Sequence, residues 1–216
     1  MNIGVILSGG TGSRFGANLP KQYLPLCGKK VIEYSIQALE ECEELDIYLV
    51  MAAEEYCMNP PFSVTEKGKV IPGGDSRNAS LKAALSYIEE NYPKCEKVFI
   101  HEAARPFLRR DIITEYLQKL DEFDAVITTK KITDSLGSIK EWYVNREEYY
   151  LIQAPEAFRF SLLNRYFKAD SPITATSQQL PEESKVYQNF AFTDNLKITY
   201  PEDFLVAEHM MNARGW

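Results

Sequence analysis

Positive charge is scarce in this sequence of 216 residues, where 24 lysines and arginines face 31 aspartates and glutamates, a net charge of −7. A surface of this sign repels the phosphates of nucleic acids and anionic lipids, so neither is expected as a partner and any anion site must be local. Long apolar runs are absent too, and none approaches the roughly 20 residues that a membrane-spanning helix needs. No basic segment precedes the apolar residues at the start, so we expect no secretory leader and a cytoplasmic protein.

Metal-ligating side chains are also few. The sequence has two histidines and four cysteines, and no two cysteines have Cys-x-x-Cys spacing. Structural zinc sites use such paired spacings, so no structural zinc site is predicted, and no residue is assigned as a metal ligand. Four scattered cysteines are instead expected to be free thiols in a reducing compartment.

Short apolar runs alternate with amphipathic stretches along most of the chain. We predict strands at 3–7, 46–52, 69–73, 97–102 and 124–129, and helices at 30–42, 76–92, 110–120 and 201–213. This alternation is typical of a Rossmann-like α/β fold with a doubly wound, mostly parallel sheet, which binds ligands at the carboxyl ends of its strands. No linker or repeat divides the chain, so residues 1–216 are expected to form a single domain.

Residues 130–153 interrupt the alternation with two strand-like pieces and no crossover helix between them. The segment carries the aromatic residues Trp142, Tyr143, Tyr149 and Tyr150. Such side chains need burial that an excursion without a helix does not provide. We therefore predict a protruding β-arm that packs on a partner.

The stretch SGGTGSRFG, residues 8–16, follows the first predicted strand and is rich in glycine. It lacks the Gly-Lys of a P-loop, and Phe15 stands where a dinucleotide fingerprint starting at Gly10 needs its third glycine. What remains is a loop whose backbone N–H groups surround an anion, joined by the cations Arg14 and Lys21. Fixed cations of this kind suit phosphoryl or nucleotidyl transfer. The alternative is a tight turn beside two solvated cations.

Two further blocks fall at predicted strand ends. GGDSRNAS opens the second predicted helix with two glycines, and Arg77 and Ser80 stand on its first turn as readers of an anion or a base edge. HEAARPF places Glu102 beside Arg105, where a carboxylate is suited to hold a hydroxyl group or a magnesium ion. His101 in the same block is assigned no chemistry, since a single histidine at a strand end is more often structural.

Lys197 is the remaining candidate cation. It lies between Leu196 and Ile198 in a short predicted strand. Neighbouring side chains of a strand point to opposite faces, so Lys197 faces the cleft if the two apolar residues face the core. The alternative is an edge-strand lysine in solvent.

Together these blocks closely resemble the 2-C-methyl-D-erythritol 4-phosphate cytidylyltransferase family, which also includes ribitol 5-phosphate cytidylyltransferases. GVILSGGTGSRFG, PKQYLPLCGKKVIEYSI, GGDSRNAS, HEAARPF, QAPEAF and DNLKITYPEDF follow the family's order and approximate spacing over nearly the whole chain. PKQYL and NLKIT are the specific signals, whereas the glycine loop alone would be weak.

The resemblance implies transfer of CMP from CTP to a polyol phosphate with release of pyrophosphate. The acceptor's own phosphate oxygen attacks the α-phosphorus, so the protein supplies position and charge rather than a nucleophile. It also implies magnesium held mainly by triphosphate oxygens, and a homodimer formed through the arm. The alternatives are a nucleotidylyltransferase of the same fold for another nucleotide or a sugar phosphate, and a non-catalytic nucleotide-binding module.

The resemblance also assigns residues to three roles. Those around the reacting phosphates are Arg14, Lys21 and Lys197. Those for the nucleotide are Leu7, Ser8, Gly9, Gly10, Thr11, Gly12, Gly74, Asp75, Arg77, Ser80 and Ala103. Those for the acceptor are Glu102, Arg105, Ser135, Arg146 and Ala154, with Ser135 and Arg146 reaching the neighbouring subunit's site.

The sequence departs from the family pattern on the acceptor side. Glu102 replaces the usual Asp, and Ala154 and Glu156 replace the Thr and the second Gln of Gln-Thr-Pro-Gln. The usual Thr-Asp-Glu-Ala is replaced around residues 174–177. Ala154 supplies no hydroxyl and Glu156 adds negative charge near an anionic substrate, so methylerythritol phosphate is expected to be a poor acceptor compared with another polyol phosphate.

Overall fold

The computed structural model describes residues 1–10 and 19–215, which contain nine strands and five α-helices. The strands are β1 (Asn2–Leu7), β2 (Pro25–Leu26), β3 (Lys29–Lys30), β4 (Ile47–Ala52), β5 (Gly68–Pro72), β6 (Lys97–Glu102), β7 (Ala125–Lys131), β8 (Tyr150–Arg159) and β9 (Val186–Asn189). The helices are α1 (Val31–Glu40), α2 (Arg77–Asn91), α3 (Arg110–Lys119), α4 (Phe160–Tyr166) and α5 (Glu202–Arg214). The five strands of the alternating pattern and all four predicted helices are confirmed, with ends that differ by no more than two residues, but the short strand predicted around Lys197 does not form.

Seven strands form the central sheet, in the order β5-β4-β1-β6-β8-β7-β9. Strands β5, β4, β1 and β6 run parallel to one another, as do β7 and β9, and β8 runs antiparallel to both of its neighbours. The mostly parallel sheet is thus confirmed. Strands β8 and β9 and helix α4 were not predicted.

Helices cover both faces of the sheet because the apolar residues of each helix form a stripe. On one face, Ile32, Ile36 and Leu39 of α1 join residues of α3 in a buried cluster. On the other face, the stripe of α2, which includes Leu81 and Leu85, packs with α4. Burial of such stripes is the main force that holds the helices against the sheet. Helices on both faces make the sheet doubly wound, as predicted.

Helix α5 lies outside these two layers and closes a third cluster. Its residues Ala207 and Met211 pack against Leu26 and Val31 from the start of the chain. The small hairpin of β2 and β3 that carries Leu26 turns through Cys27 and Gly28, both with positive φ, at 45° and 87°. Two positive φ values in a two-residue hairpin turn match the right-handed twist of the strands.

Strand β8 is interrupted by a bulge. Ile127 of β7 pairs with Glu156, but the next residue, Thr128, pairs with Gln153. Residues 154–155 are therefore extra residues in β8 and have no partner in β7. The peptide bond between them is cis.

The predicted arm begins as a continuation of β7 and β8, which pair as far as Lys131 and Tyr150. Beyond this pair, residues 132–149 contain one 3-10 turn, Arg146–Glu148, and no strand. Ile139 and Trp142 on this segment are fully exposed, at 103% and 105%. The segment thus leaves the domain as predicted, but only its base is a β-structure.

Two expectations from composition concern the chain as a whole. All four cysteines are free thiols. Within residues 1–10 and 19–215, no helix has the length and apolar character required to cross a membrane.

Gly68 provides a test of the packing between β4 and β5, where it pairs with Tyr48. A Cβ at this position would lie 2.5 Å from the Tyr48 hydroxyl oxygen and 2.7 Å from its Cε2. The ring is fully buried, and its hydroxyl donates to Glu40 Oε1 at 2.6 Å, so it has no room to retreat. We expect Gly68→Ala to lower the free energy of unfolding by about 1–3 kcal/mol in urea titrations.

The control is Gly137→Ala on the arm, where a Cβ would meet nothing within 4 Å. This variant should unfold at the wild-type urea concentration. Equal midpoints for the two variants would contradict the packing argument.

Candidate active site

A cleft of about 400 Å³ opens at the carboxyl ends of β1 and β6. Its position follows from the topology, because β4 and β5 lie on one side of β1 and β6 lies on the other. Such a switch in strand order leaves a crevice beyond the strand ends. The cleft is lined by Leu7, Ser8, Gly9, Gly10, Lys21, Gln22, Gly74, Asp75, Ser76, Arg77, Ser80, Glu102, Ala103, Ala104 and Lys197.

Hydrogen bonds from the PKQYL block hold the described part of the glycine loop, residues 8–10, in place. The side-chain amide of Gln22 donates to the carbonyl of Ser8 at 2.7 Å and to that of Gly10 at 2.9 Å. With both carbonyls held toward the protein, the loop is fixed at the cleft, as a preorganised anion site requires. The predicted residues Thr11, Gly12 and Arg14 lie outside the described residues.

The second glycine turn faces the first across the cleft. The hydroxyl of Ser80 accepts from the backbone N–H of Gly74 and donates to its carbonyl, both at 3.1 Å. A Cβ at Gly73 would lie 2.8 Å from this hydroxyl, and one at Gly74 would lie 2.6 Å from Ala79 Cβ, so this close approach requires glycine. Ser76 caps α2 by accepting from the N–H of Ala79 at 3.0 Å.

Glu102 is the electrostatic centre of the cleft. Its Oε2 lies 3.0 Å from Arg105 Nε and 2.9 Å from Lys197 Nζ, and its Oε1 lies 3.5 Å from Arg77 Nε. Burial alone raises the pKa of the Glu102 carboxyl, but the charges of these three residues and the hydrogen bond from Lys197 outweigh burial and lower the pKa to about 2. Glu102 is therefore ionised at neutral pH and is not a general acid there.

Lys197 points into the cleft, as the alternation of its neighbours predicted. Ile198 is fully buried, and Leu196 is partly buried in the α5 cluster. The segment is not a strand, but the N–H of Ile198 donates to the carbonyl of Ala104 at 2.8 Å and so attaches it to the end of β6.

Arg77 lines the cleft, but the prediction that it reads the base does not fit its contacts. Its Nη1 donates to the carbonyl of Thr174 and the hydroxyl of Thr176, both at 3.1 Å. Its Nη2 donates to Glu156 at 3.2 Å, and its Nε faces Glu102. Each nitrogen of the guanidinium thus already has a partner within the protein.

Arg105 was predicted to bind the acceptor, and the structure corrects this. It is only 6% exposed and does not line the cleft, because its Nη1 donates to the carbonyl of Asn195 at 2.9 Å while its Nε holds Glu102. His101 beneath it is fully buried, with Nε2 lying 2.9 Å from the carbonyl of Arg105. Burial lowers the pKa of His101 to about 4, which fits the purely structural role expected of it.

Ala154 and Glu156 were both predicted near the acceptor, and both are buried. Ala154 sits in the bulge of β8, where its carbonyl accepts from Asn195 Nδ2 at 2.6 Å. Glu156 is 1% exposed and pairs with Arg77, so its charge is compensated inside the protein. The expected repulsion between Glu156 and an anionic acceptor is therefore wrong.

Ser135 and Arg146 lie on the exposed arm, and neither lines the cleft of its own chain. Arg146 Nη1 donates to the carbonyl of Thr133 at 2.5 Å, and its Nε lies 3.2 Å from Glu147 Oε1. The role of Ser135 and Arg146 in the site of a neighbouring subunit stays a prediction.

Three lining residues were not predicted: Gln22, Ser76 and Ala104. Gln22 belongs to the specific PKQYL block, so its position next to Lys21 was the signal that could have identified it. Ser76 lies between the predicted residues Asp75 and Arg77, and its hydroxyl is used to cap α2. Ala104 has no polar side chain, and no sequence signal marks it.

The chain as a whole is similar to known proteins. A model of the family described as 2-C-methyl-D-erythritol 4-phosphate cytidylyltransferase matches residues 3–213. The 2-C-methyl-D-erythritol 4-phosphate cytidylyltransferase of Clostridium perfringens strain SM101 is 32% identical over 97% of this chain and 98% of its own length. The bifunctional ribulose 5-phosphate reductase/CDP-ribitol pyrophosphorylase Bcs1 of Haemophilus influenzae is 29% identical over 99% of this chain and 49% of its own length.

A solved structure, 4-diphosphocytidyl-2C-methyl-D-erythritol synthase from Anaerococcus prevotii, superposes with a TM-score of 0.83 over 98% of both chains at 21% identity. It shares the α/β fold described above. Fold and sequence together define a nucleotidyltransferase. More particularly, this chain belongs to the 2-C-methyl-D-erythritol 4-phosphate cytidylyltransferase family, as the sequence blocks predicted, and it is a cytidylyltransferase.

The two lysines of the cleft carry the first functional prediction. We expect Lys21→Ala and Lys197→Ala each to lower kcat about 100-fold or more, since a preorganised charge that stabilises a transition state contributes a few kcal/mol. Steady-state assays of pyrophosphate release measure this.

The control is Lys168→Ala, which removes an exposed lysine that does not line the cleft. Its kcat should equal that of the wild type. Wild-type kcat in both cleft variants would refute the assignment of these lysines.

Proposed function

We propose that this cytidylyltransferase transfers CMP from CTP to the phosphate of a polyol phosphate and releases pyrophosphate. The observation that carries the proposal is the meeting of two glycine turns with Lys21 and Lys197 in one cleft. The first turn offers backbone N–H groups to phosphates, and the lysines add charge that strengthens as the pyrophosphate leaves. We place the reaction in the cytoplasm, in keeping with four free thiols.

The nucleotide base is proposed to lie against the second glycine turn. The backbone of Gly74 is held on both its N–H and its carbonyl by Ser80, and the neighbouring Asp75 is exposed to the cleft. Because Ser80 uses the N–H of Gly74, the groups left for the base are acceptors: the second lone pair of the Gly74 carbonyl and the carboxylate of Asp75. Acceptors suit the amino group of cytosine and leave the corresponding carbonyl of uracil unpaired. Selectivity for CTP over UTP follows.

Magnesium is proposed to enter with CTP, held mainly by the triphosphate oxygens. The two carboxylates of the cleft lining are those of Asp75 and Glu102. Glu102 already shares its oxygens among three cations, whereas Asp75 has an exposed side chain at the open side of the cleft. The donor set therefore fits a metal that is carried by the nucleotide and neutralises charge on its phosphates.

We propose methylerythritol 4-phosphate as the acceptor, with ribitol 5-phosphate as the second candidate. Methylerythritol 4-phosphate appears in the name of the family and in that of the Clostridium perfringens relative. Ribitol 5-phosphate is suggested by the Haemophilus influenzae relative, which is named as a CDP-ribitol pyrophosphorylase. The burial of Ala154 and the pairing of Glu156 remove the sequence-based argument against methylerythritol phosphate. Glu102 remains the departure that faces the cleft.

The exposed arm supports a homodimer. Ile139, Trp142 and Tyr143 each expose a large apolar side chain to solvent, the last at 76% exposure. An isologous contact between two copies would bury them. Arg146 would then reach the partner's cleft and hold the acceptor phosphate through charge-assisted hydrogen bonds.

The function is tested by following pyrophosphate release from CTP with methylerythritol 4-phosphate, ribitol 5-phosphate and glycerol 3-phosphate in parallel. We expect turnover with at least one polyol phosphate, the highest kcat/KM with methylerythritol 4-phosphate, and a much lower kcat/KM when UTP replaces CTP. Preference for ribitol 5-phosphate would overturn the acceptor proposal alone. Absence of CTP turnover with every acceptor would overturn the proposed function.

The role of the arm is tested by mixing two inactive variants, Arg146→Ala and Lys21→Ala. If Arg146 acts in the partner's cleft, a mixed dimer has one site in which both residues are intact, and activity returns. Homodimers of either variant should stay nearly inactive. Subunit exchange is verified by copurification of differently tagged chains; verified mixed dimers without activity would contradict the role proposed for Arg146.

A further inference from the structure

Glu156 is a carboxylate buried inside the central sheet and outside the cleft lining. It lies on β8, pairs with Ile100 of β6 and Ile127 of β7, and is 1% exposed. Transfer of an ionised carboxylate to such a site is costly unless its oxygens are paired. Here Oε1 accepts from Arg77 Nη2 at 3.2 Å, and Oε2 accepts from the backbone N–H of Ser177 at 3.1 Å.

Arg77 connects this carboxylate to the cleft. Its guanidinium lies between Glu156 on one side and Glu102 on the other, with Nε 3.5 Å from Glu102 Oε1. Glu102 in turn holds Lys197 at 2.9 Å. A continuous path of charged contacts therefore runs from the interior of the sheet to the ammonium group of the proposed catalytic lysine.

The charges along this path give a role to the second carboxylate, which in this chain stands where the family usually has glutamine. If Glu156 were neutral, Arg77 would have Glu102 as its single carboxylate partner and would turn toward it, since a guanidinium pairs most strongly with a carboxylate in a bidentate arrangement. Glu102 would then be withdrawn from Lys197. Glu156 counteracts this by drawing the guanidinium toward residues 174–177.

We propose that Glu156 is a positioning residue for cytidylyl transfer, which fixes Arg77 between two carboxylates and thereby keeps Glu102 and Lys197 in their working arrangement. The inference rests on the proposed function only in taking Lys197 as a residue that acts on the reacting phosphates. The proposal assigns a function to Glu156, a buried residue that does not line the cleft.

Glutamine is the informative replacement, because it keeps the shape of Glu156 and removes its charge. The amide has one oxygen, which cannot serve both Arg77 Nη2 and the N–H of Ser177 as the two carboxylate oxygens do. Its NH₂ group would face a donor on one side. Arg77 would be released toward Glu102.

The test compares the kinetics of Glu156→Gln with those of the wild type. We expect kcat to fall about 10-fold to 100-fold, the scale of effect that small misplacements in a catalytic site produce. The KM for CTP should change much less, because the glycine turns that hold the nucleotide are untouched. A smaller folded fraction would also lower apparent kcat at an unchanged KM, so kcat is expressed per folded molecule, with the folded fraction measured from the thermal unfolding transition. The expected loss of kcat persists after this correction, and its disappearance would overturn the proposal.

Asp121→Asn is the matched control. Asp121 forms an ion pair with Lys97 at 2.5 Å, at the amino end of the same strand β6 that carries Glu102 at its carboxyl end. The control removes one carboxylate from an ion pair, as Glu156→Gln does, but far from the cleft. Its kcat should equal that of the wild type.

A double variant tests whether Glu156 acts through Arg77. Lys at position 77 keeps the charge but cannot bridge two carboxylates and a loop with one ammonium group. If the two residues lie on one path, Glu156→Gln combined with Arg77→Lys lowers kcat no further than Arg77→Lys alone. Additive losses would overturn the proposal.

Thr176→Val is a second single variant in case Glu156→Gln does not fold. It removes the hydroxyl that accepts from Arg77 Nη1 and leaves every charge in place, so a smaller loss of kcat is expected. Wild-type kcat in either folded variant overturns the role of this contact path while the wild-type enzyme still turns over CTP. An inactive wild type would instead indicate failure of the proposed function.

Discussion

The attraction of three cations to the carboxylate of Glu102 is the interaction on which the cleft depends. Arg77, Arg105 and Lys197 all contact it, and like charges at this spacing would otherwise repel one another. The chain carries a net charge of −7, so a site for polyanionic substrates cannot rely on the overall field of the protein. Glu102 allows positive charge to be concentrated at one place, where Lys197 lines the cleft together with Lys21.

The part of the cleft proposed to bind the nucleotide is held in place by hydrogen bonds rather than by ion pairs. Its two glycine turns follow the carboxyl ends of β1 and β5. These ends lie at the same end of the sheet because the strands are parallel. Gln22 and Ser80 then hold the carbonyls and amides of these turns by hydrogen bonds. In the proposed binding mode the nucleotide therefore meets mostly backbone groups that are fixed before it binds, whereas the reacting phosphates meet charged side chains such as Lys197, whose position is set by an ion pair.

Much of the fold could be predicted because its signals are local. The buried stripes of α1 and α2 recur every three or four residues, and the glycine blocks follow apolar runs, so strand ends and cleft residues could be located together. Strand β8 gives no such signal: its position between β6 and β7 depends on pairings with residues that are distant in the sequence, from Lys131 with Tyr150 to Lys97 with Arg159. The burial of Ala154 and the pairing of Glu156 with Arg77 depend on this position. They could not be read from the spacing of residues within each motif.

The position of β8 also determines the order in which the enzyme can be completed during synthesis. Strands β1, β4, β5 and β6 lie within the first 102 residues and can pair as soon as they emerge, since domains form from the amino terminus onward. The outer edge of β6 then stays unpaired until β8, which ends at Arg159, has been made. The turns assigned to the nucleotide therefore exist long before Lys197 is translated. A nascent chain passes through a stage in which it has both of these turns and lacks Lys197.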